Sequence, residues 1–395
     1  MTHMPYDLHL QQLDEFLVEH SSLWQPQPFK TTRPAWCFSH PELTQALLDL
    51  DDATLHHYES CQDACIAFIS AWLPPLAQIS TLTALPESGQ TSGDPVPVHL
   101  NTGMPGRKWQ QISALYRSMK NPHQAITEWC GGKGYLGRLL STQWQQPVTT
   151  LEIDLQLIRD GITLATKHKT RQQFRQVDVC TDACAPYLDH HYPVALHACG
   201  DLHRELVKRL AHSHTTGFSI VPCCYHLGQA QRYTPLNHHL QLNISREELR
   251  LAVNETVTAR HHEIEKRDQD SAWKLAFHQL RQSLVPMEYK PFKPVPKAWL
   301  NDGFESYCRK LSAREKLYLP AATDFSHWEQ IGYQRRHEVV RLQLLRHCFK
   351  RVLELWLVMD MAVYLEAHGY FVNISTFCDR TLTPRNILLQ GAARP

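Results

Sequence analysis

The stretch from Ala125 to Ser141, "AITEWCGGKGYLGRLLS", runs from a short apolar segment (Ala125, Ile126, Trp129) through a glycine turn into a helical pattern. Inside it, Gly132-Lys133-Gly134-Tyr135-Leu136-Gly137 fits G-x-G-x-x-G, a turn in which glycines let backbone N–H groups approach a nucleotide at a helix N-terminus. Taken alone, the same turn serves as a plain strand-to-helix connection, so its surroundings have to decide.

Working outward, strand and helix patterns alternate on the C-terminal side. "AITEWC", "VTTLEI", "FRQVDV", "PVALHAC" and "FSIVPCC" read as strands, separated by helical stretches such as "LQLIRDGITLATKH" and "RELVKRLAH". That alternation predicts an α/β fold with a parallel sheet wound on both faces. After Cys224 it gives way to about a hundred residues of charged, helix-like sequence ("SREELRLAVNETVTARHHEIEKRD", "RRHEVVRLQLLRHC") interrupted by the proline-rich "YKPFKPVPKAW". Two closing strands, "YFVNISTFC" and "RNILLQGA", follow the apolar helix "VLELWLVMDMAVYLEAHGY". On the N-terminal side, "GRKWQQISALYRSM" is an amphipathic helix leading into the turn, residues 1–85 are mostly helical, and the polar stretch near 86–98 reads as a linker.

Two nucleotide classes use a glycine turn followed by an acid at the end of the second strand, and Glu152 suits either. Three features favour S-adenosylmethionine over a dinucleotide. Glu128, just before the turn, suits a cationic amino group and would repel a pyrophosphate. Asp178, at the end of the third strand, is placed to accept from an adenine exocyclic amine. The closing strand pair at 370–391 suits a reversed hairpin strand, where a dinucleotide fold would continue with parallel units.

"EWCGGKGYLGR", "LHACGDLH", "VPCCYH" and "TPRN", in this order, resemble the class I S-adenosylmethionine-dependent methyltransferases, in the methyltransferase-like group that includes the tRNA acceptor-stem ribose methyltransferases. The resemblance covers about 100–230 and 350–391. It implies a seven-stranded Rossmann-like methyltransferase sheet with the cofactor across the C-terminal strand ends, a mostly helical N-terminal domain and a helical insertion after strand five. By position it assigns Glu128, Gly132, Gly134, Glu152 and Asp178 to the cofactor. One departure stands in the motif itself, since Cys130 occupies the place of the first glycine. The insertion, about 228–345, has no counterpart in the motifs.

Methyl transfer from a sulfonium is an in-line displacement, so the protein must align an acceptor and, where necessary, take its proton. The segments after strands four and five, "HACGDLH" and "PCCYH", therefore supply the catalytic candidates Asp201, His197, Tyr225 and His226. Asp or His would orient or deprotonate a ribose hydroxyl, Tyr225 would stack on a base, and cytosine C5 would require a cysteine nucleophile. The alternatives are structural: Asp201 capping its helix, and Cys199 and Cys223 as small packed hydrophobes. Cys223 and Cys224 with His197 and His226 are legitimate zinc ligands, but no paired C-x-x-C or H-x-x-x-H spacing supports them, and no metal is expected.

The chain has 395 residues and 43% hydrophobic side chains, enough for a methyltransferase-sized domain at 96–395 and a helical accessory domain at 1–95. Its net charge of +1 divides into −10 for residues 1–100 and +11 for the remainder. Residues 281–351 alone hold 14 Lys/Arg against seven Asp/Glu. An acidic accessory domain and a basic body that meets RNA is one reading, with Lys290, Lys293 and Lys297 interleaved among Tyr289, Phe292 and Trp299. Mutual neutralisation of the two parts is the other. Glu354, Asp360 and Glu366 interrupt the most apolar helix, which places it in a core and not a bilayer. Twelve dispersed cysteines without a secretory pattern are expected to be reduced thiols in the cytoplasm.

Overall fold

The computed structural model describes residues 6–89, 96–253, 261–285 and 289–395. Its strands are β1 (Ile126–Trp129), β2 (Val148–Glu152), β3 (Gln172–Gln176), β4 (Tyr192–Cys199), β5 (Gly217–Cys223), β6 (Tyr370–Thr376) and β7 (Ile387–Ala393). They form one sheet in the order β3-β2-β1-β4-β5-β7-β6. β1 to β5 pair in parallel, whereas β7 runs antiparallel to both β5 and β6. This is the Rossmann-like sheet of class I methyltransferases, and each strand overlaps the segment that predicted it, though β3 (Gln172–Gln176) begins two residues before "FRQVDV" and ends at Gln176, three residues short of its end.

Both faces of the central strands are covered: all four residues of β1, Thr127 and Glu128 included, and all seven of β5 are buried. On one face, Trp109, Ile112, Leu115 and Tyr116 of the Gly106–Arg117 helix join Leu136, Leu139 and Leu140 of the Tyr135–Trp144 helix over Ile126, Val148, Val194 and Val221. The Lys350–Ala367 helix is buried nearly all round, and two of its acids, Asp360 and Glu354, are partnered. Fully buried Asp360 accepts from the Tyr233 hydroxyl at 2.7 Å, from the amides of Leu236 and Asn237 at 2.9 and 3.1 Å, and from Asn237 Nδ2 at 2.8 Å. Glu354 pairs with Arg351 at 2.6 Å. Among the described residues no helix is long and apolar enough to cross a membrane.

The chain divides into two compact units. The first comprises Met1–Val18, Ser80–Asn254 and Lys350–Pro395 and contains the whole sheet; the second comprises Glu19–Ile79 and Glu255–Phe349. This differs from a linear split at 95/96: most of the N-terminal helical region groups with the insertion. The physical reason lies in buried arginines of the Phe325–His347 helix, which need acceptors. Arg341 donates to Leu50 O at 2.8 Å and Asp52 at 2.7 Å, Arg346 to Trp24 O at 2.6 Å, and Arg335 to Pro28 O at 2.7 Å.

The regrouping also dissolves the charge asymmetry. The second unit carries 18 Lys/Arg and 19 Asp/Glu, with 2 and 7 of these in 19–79 and 16 and 12 in 255–349, a net charge of −1. Neutralisation is thus the better reading of the split. The Pro/aromatic piece packs on the insertion's own helices: Phe292 and Trp299 lie against the cluster of Trp273, Phe277, Phe304 and Tyr307, and Arg314 donates to Pro294 O at 3.0 Å. Part of the expected linker is tied down, since Ser88 N donates to Thr376 O at 2.8 Å and Thr376 N to Pro86 O at 2.9 Å. The rest of it, at 90–95, and part of the expected helix, at 254–260, lie outside the described residues.

Candidate active site at the C-terminal strand ends

β1 ends at Trp129, and the turn that follows takes three left-handed residues before the helix: Cys130 (φ 53°), Gly132 (φ 60°) and Gly134 (φ 68°). The departure at Cys130 is therefore a side chain held where glycine is at ease, at a cost of about 1–2 kcal/mol. The two glycines answer different needs. A Cβ on Gly134 would sit 2.2 Å from Gln172 Nε2 and 2.6 Å from Phe174, so this glycine lets the helix meet β3. A Cβ on Gly132 would meet nothing within 4 Å; it faces open space.

That space is a cavity of about 380 Å³ lined by the turn, by Glu128 and His197 at the ends of β1 and β4, and by Met104, Lys108 and Ile112 on the segment leading into and along the Gly106–Arg117 helix. Tyr135, on its wall, donates its hydroxyl to Thr102 O at 3.1 Å and so braces the segment before that helix.

Glu128 is buried beneath the turn, where burial pushes its carboxyl up from the ordinary range. It accepts from Thr150 Oγ1 at 2.7 Å and from Gln172 Nε2 at 3.4 Å, and a Cβ on Gly131 or Gly137 would strike it at 2.5 Å. These contacts make it an organiser of the turn as well as part of the cavity wall. Glu152 lies at the rim, accepting from Gly132 N at 2.9 Å, Ile153 N at 2.8 Å and Asp154 N at 3.0 Å. Asp178 is exposed beyond β3 and accepts from Cys180 N at 3.0 Å.

His197 is a bulged residue of β4 with φ 62°. Its Nε2 lies 3.0 Å from Gln111 Oε1, and because Gln111 Nε2 donates to Leu382 O at 3.2 Å, the oxygen is fixed toward the ring. The proton therefore sits on Nε2 and Nδ1 is left as the lone pair. Burial, with Lys108 nearby, lowers the pKa of His197 to about 4, so it is neutral at physiological pH and a weak base.

The other three catalytic candidates are placed differently. Asp201 begins the Asp201–Leu210 helix without capping it and accepts from Gln229 N at 2.8 Å, holding the loop after β5. Tyr225 is 6% exposed and edge-on to buried His203 at 5.4 Å, which removes it as a base-stacking platform; its buried hydroxyl finds no hydrogen-bond partner among the described residues. His226 is half-buried, with an unpartnered Nδ1 and a pKa lowered by burial and by Arg250. In "TPRN", Asn386 Nδ2 donates to Cys378 O at 2.7 Å and Arg385 donates to Val253 O, so these residues fix the hairpin.

The cavity thus gathers Glu128, Gly132 and His197, with Gly134 beneath it and Glu152 at its rim, and leaves Asp178, Asp201, Tyr225 and His226 outside its lining. Sequence reasoning missed Met104, Lys108 and Gln111. For Lys108 and Gln111 the signal was the polar face of "GRKWQQISALYRSM", a helix read only for its apolar stripe; Met104 precedes that helix and left no such signal.

Residues 107–231 match a family model described as a methyltransferase domain. No curated protein matches the sequence. Among solved structures, the chain is similar to geranyl diphosphate C-methyltransferase from Streptomyces coelicolor A3(2), crystallised with Mg2+, geranyl diphosphate and S-adenosyl-L-homocysteine, at 10% identity over 34% of this chain and 55% of that one (TM-score 0.25). A TehB-like SAM-dependent methyltransferase from Corynebacterium glutamicum shares 16% over 31% of this chain and 72% of that one (TM-score 0.23). The N-terminal domain of EvdMO1 with SAH bound shares 15% over 37% and 63% (TM-score 0.25). The chain spans 48%, 59% and 27% of the first three structures it matches. Residues 107–231 thus match a methyltransferase domain, within a sheet whose strand order is that of the Rossmann-like methyltransferase fold.

Proposed function

We propose that this protein transfers a methyl group from S-adenosylmethionine, bound across the glycine turn, to an acceptor presented at the ends of β4 and β5. The observation that carries the reading is the open face of Gly132, a left-handed glycine with no atom near its Cβ position and Glu152 accepting from its amide. In this arrangement Glu152 receives ribose hydroxyls, the turn amides face the methionine moiety, and Asp178 meets the adenine amine. Glu128 acts chiefly by holding the turn in shape. Neutral His197 orients an acceptor more readily than it deprotonates one.

RNA is the acceptor we propose, in the cytoplasm, where the cysteines stay reduced. The motif resemblance supports it, as do the cationic side chains stacked on Trp299, with Lys310 at 5.7 Å and Arg314 at 5.4 Å from the ring centroid. The near-neutral second unit favours the second reading, a small-molecule or protein acceptor, because a polyanion partner draws on net positive charge. The experiment is transfer of labelled methyl from S-adenosylmethionine to RNA, protein and small-molecule fractions of a strain lacking the gene, with wild-type protein and Asp178→Ala. Label in RNA that the variant loses supports the first reading, and label in protein or small molecules alone replaces it with the second. Absence of label in every fraction rejects methyl transfer.

A further inference from the structure

Cys199, Cys223 and Cys224 converge at the ends of β4 and β5, with their Sγ atoms all within 4.8 Å of one another. Two departures from regular strand geometry bring this about. Leu196 pairs with Val221, and an unbroken register would set Ala198 opposite Cys223; the bulge at His197 shifts the ladder so that Cys199 is the partner of Cys223 and their sulfurs are 3.3 Å apart. Strand alternation would then send Cys224 to the opposite face, but its left-handed backbone (φ 48°) returns the thiol to the same side. A non-glycine residue in that conformation costs about 1–2 kcal/mol.

We propose that Cys199, Cys223 and Cys224 form a binding site for a thiophilic divalent d10 cation, Zn2+ being the natural occupant. Sulfurs around a tetrahedral zinc, each about 2.3 Å from the metal, are about 3.8 Å apart; the Cys199–Cys223 pair at 3.3 Å lies about half an ångström inside that spacing, and all three sulfurs lie within 4.8 Å of one another. On binding, each thiol gives up its proton and the three thiolates leave the site with a charge of −1, beside which Arg385 stands close enough to act on Cys199 and Cys224. Three protein ligands leave a fourth position for water or an acceptor atom, and half-buried Cys199 and Cys224 leave it reachable. A disulfide between Cys199 and Cys223 is the competing explanation of the close pair. It needs neither the third thiol nor the backbone that turns it inward.

The test uses the full-length protein, reduced and stripped with a chelator, then titrated with Zn2+ against a chromophoric indicator and with Co2+ to read thiolate-to-metal charge transfer. One ion is expected per chain, with Cys199 and Cys224, half-buried in the stripped protein, losing reactivity toward a thiol reagent on metal binding. Cys199→Ser, Cys223→Ser and Cys224→Ser each weaken binding by at least about a hundredfold, more than the 10- to 100-fold typical of an outer partner. Cys61→Ser, in the second unit, leaves it unchanged. Far-UV spectra and melting curves identify any variant that fails to fold, and Cys224→Ala, at a half-exposed position, provides a second test there. Weak binding by wild type, a charge-transfer band unaltered in the folded variants, or a Cys199–Cys223 disulfide forming readily in place of zinc uptake overturns the proposal.

Discussion

Gly132 and Gly134 are two residues apart in one turn, share a left-handed backbone, and are expected to respond oppositely to alanine. For Gly132→Ala, the cost to the fold is the left-handed penalty of about 1–2 kcal/mol, because the new methyl meets nothing within 4 Å. The methyl instead occupies space that a cofactor needs. Overpacking of about 1–3 kcal/mol there weakens S-adenosylmethionine binding by about 5- to 150-fold. For Gly134→Ala the new carbon lies 2.2 Å from Gln172 Nε2, which donates to Thr150 Oγ1 at 2.8 Å and Gly134 O at 2.9 Å. Displacing that amide loses about 2 kcal/mol of hydrogen bonding. With the backbone penalty and the crowding of Phe174, the total is about 4–7 kcal/mol. Melting curves and calorimetric titration with S-adenosylmethionine separate the two effects. Wild-type affinity in folded Gly132→Ala would refute the placement of the cofactor, and a wild-type melting temperature in Gly134→Ala would refute the packing account of the turn.

Other substitutions probe the scaffold. Asp360→Ala strands the hydroxyl of Tyr233 and the amides of Leu236 and Asn237 in the core and is expected to cost about 3–5 kcal/mol in denaturant melts; a loss below about 1 kcal/mol would mean the loop is held otherwise. Arg341→Ala removes the links to Leu50 O and Asp52 and lowers stability by about 2–4 kcal/mol, read as the unfolding of the second unit. Burial lowers the pKa of His203 to about 4, so the folded state binds fewer protons than the unfolded one between pH 6.5 and 4. Its contribution is present above the unfolded pKa and is lost as pH falls through that window, by about 2 kcal/mol at pH 5. His203→Gln flattens this part of the stability profile, and an unchanged slope would refute the assignment.

The sheet was legible because its signals are local. Each parallel strand is a short segment with at least one buried apolar side chain between turn residues, and the glycine turn announces the first crossover. The units were not, because their logic is carried by single long-range partners. Nothing near Asp52 in sequence says that Arg341 will bury itself against it. Charge summed along the chain therefore divided what the fold puts together. At the site, Glu128, Gly132 and Gly134 were readable from the turn alone, and Glu152 from its place at a strand end. Tyr225 was misjudged because facing in or out near a strand end depends on one irregular residue, here Cys224 with φ 48°. The three-cysteine cluster was hidden for the same reason, since bulges and left-handed residues leave little trace in a ligand-spacing pattern.

The reversed strand that completes the sheet has a consequence for how the chain is made. β5 ends at Cys223, but its neighbour β7 begins only at Ile387, after the insertion has been translated. At roughly 5–20 residues per second, the ribosome leaves the edge of β5, a strand buried along its whole length in the folded protein, without its partner for about ten to thirty seconds. An open edge of that kind invites pairing with other nascent chains. Slower elongation through the insertion, or truncation before the last strand, is therefore expected to increase aggregation during synthesis, and holdase chaperones should engage the chain in that interval.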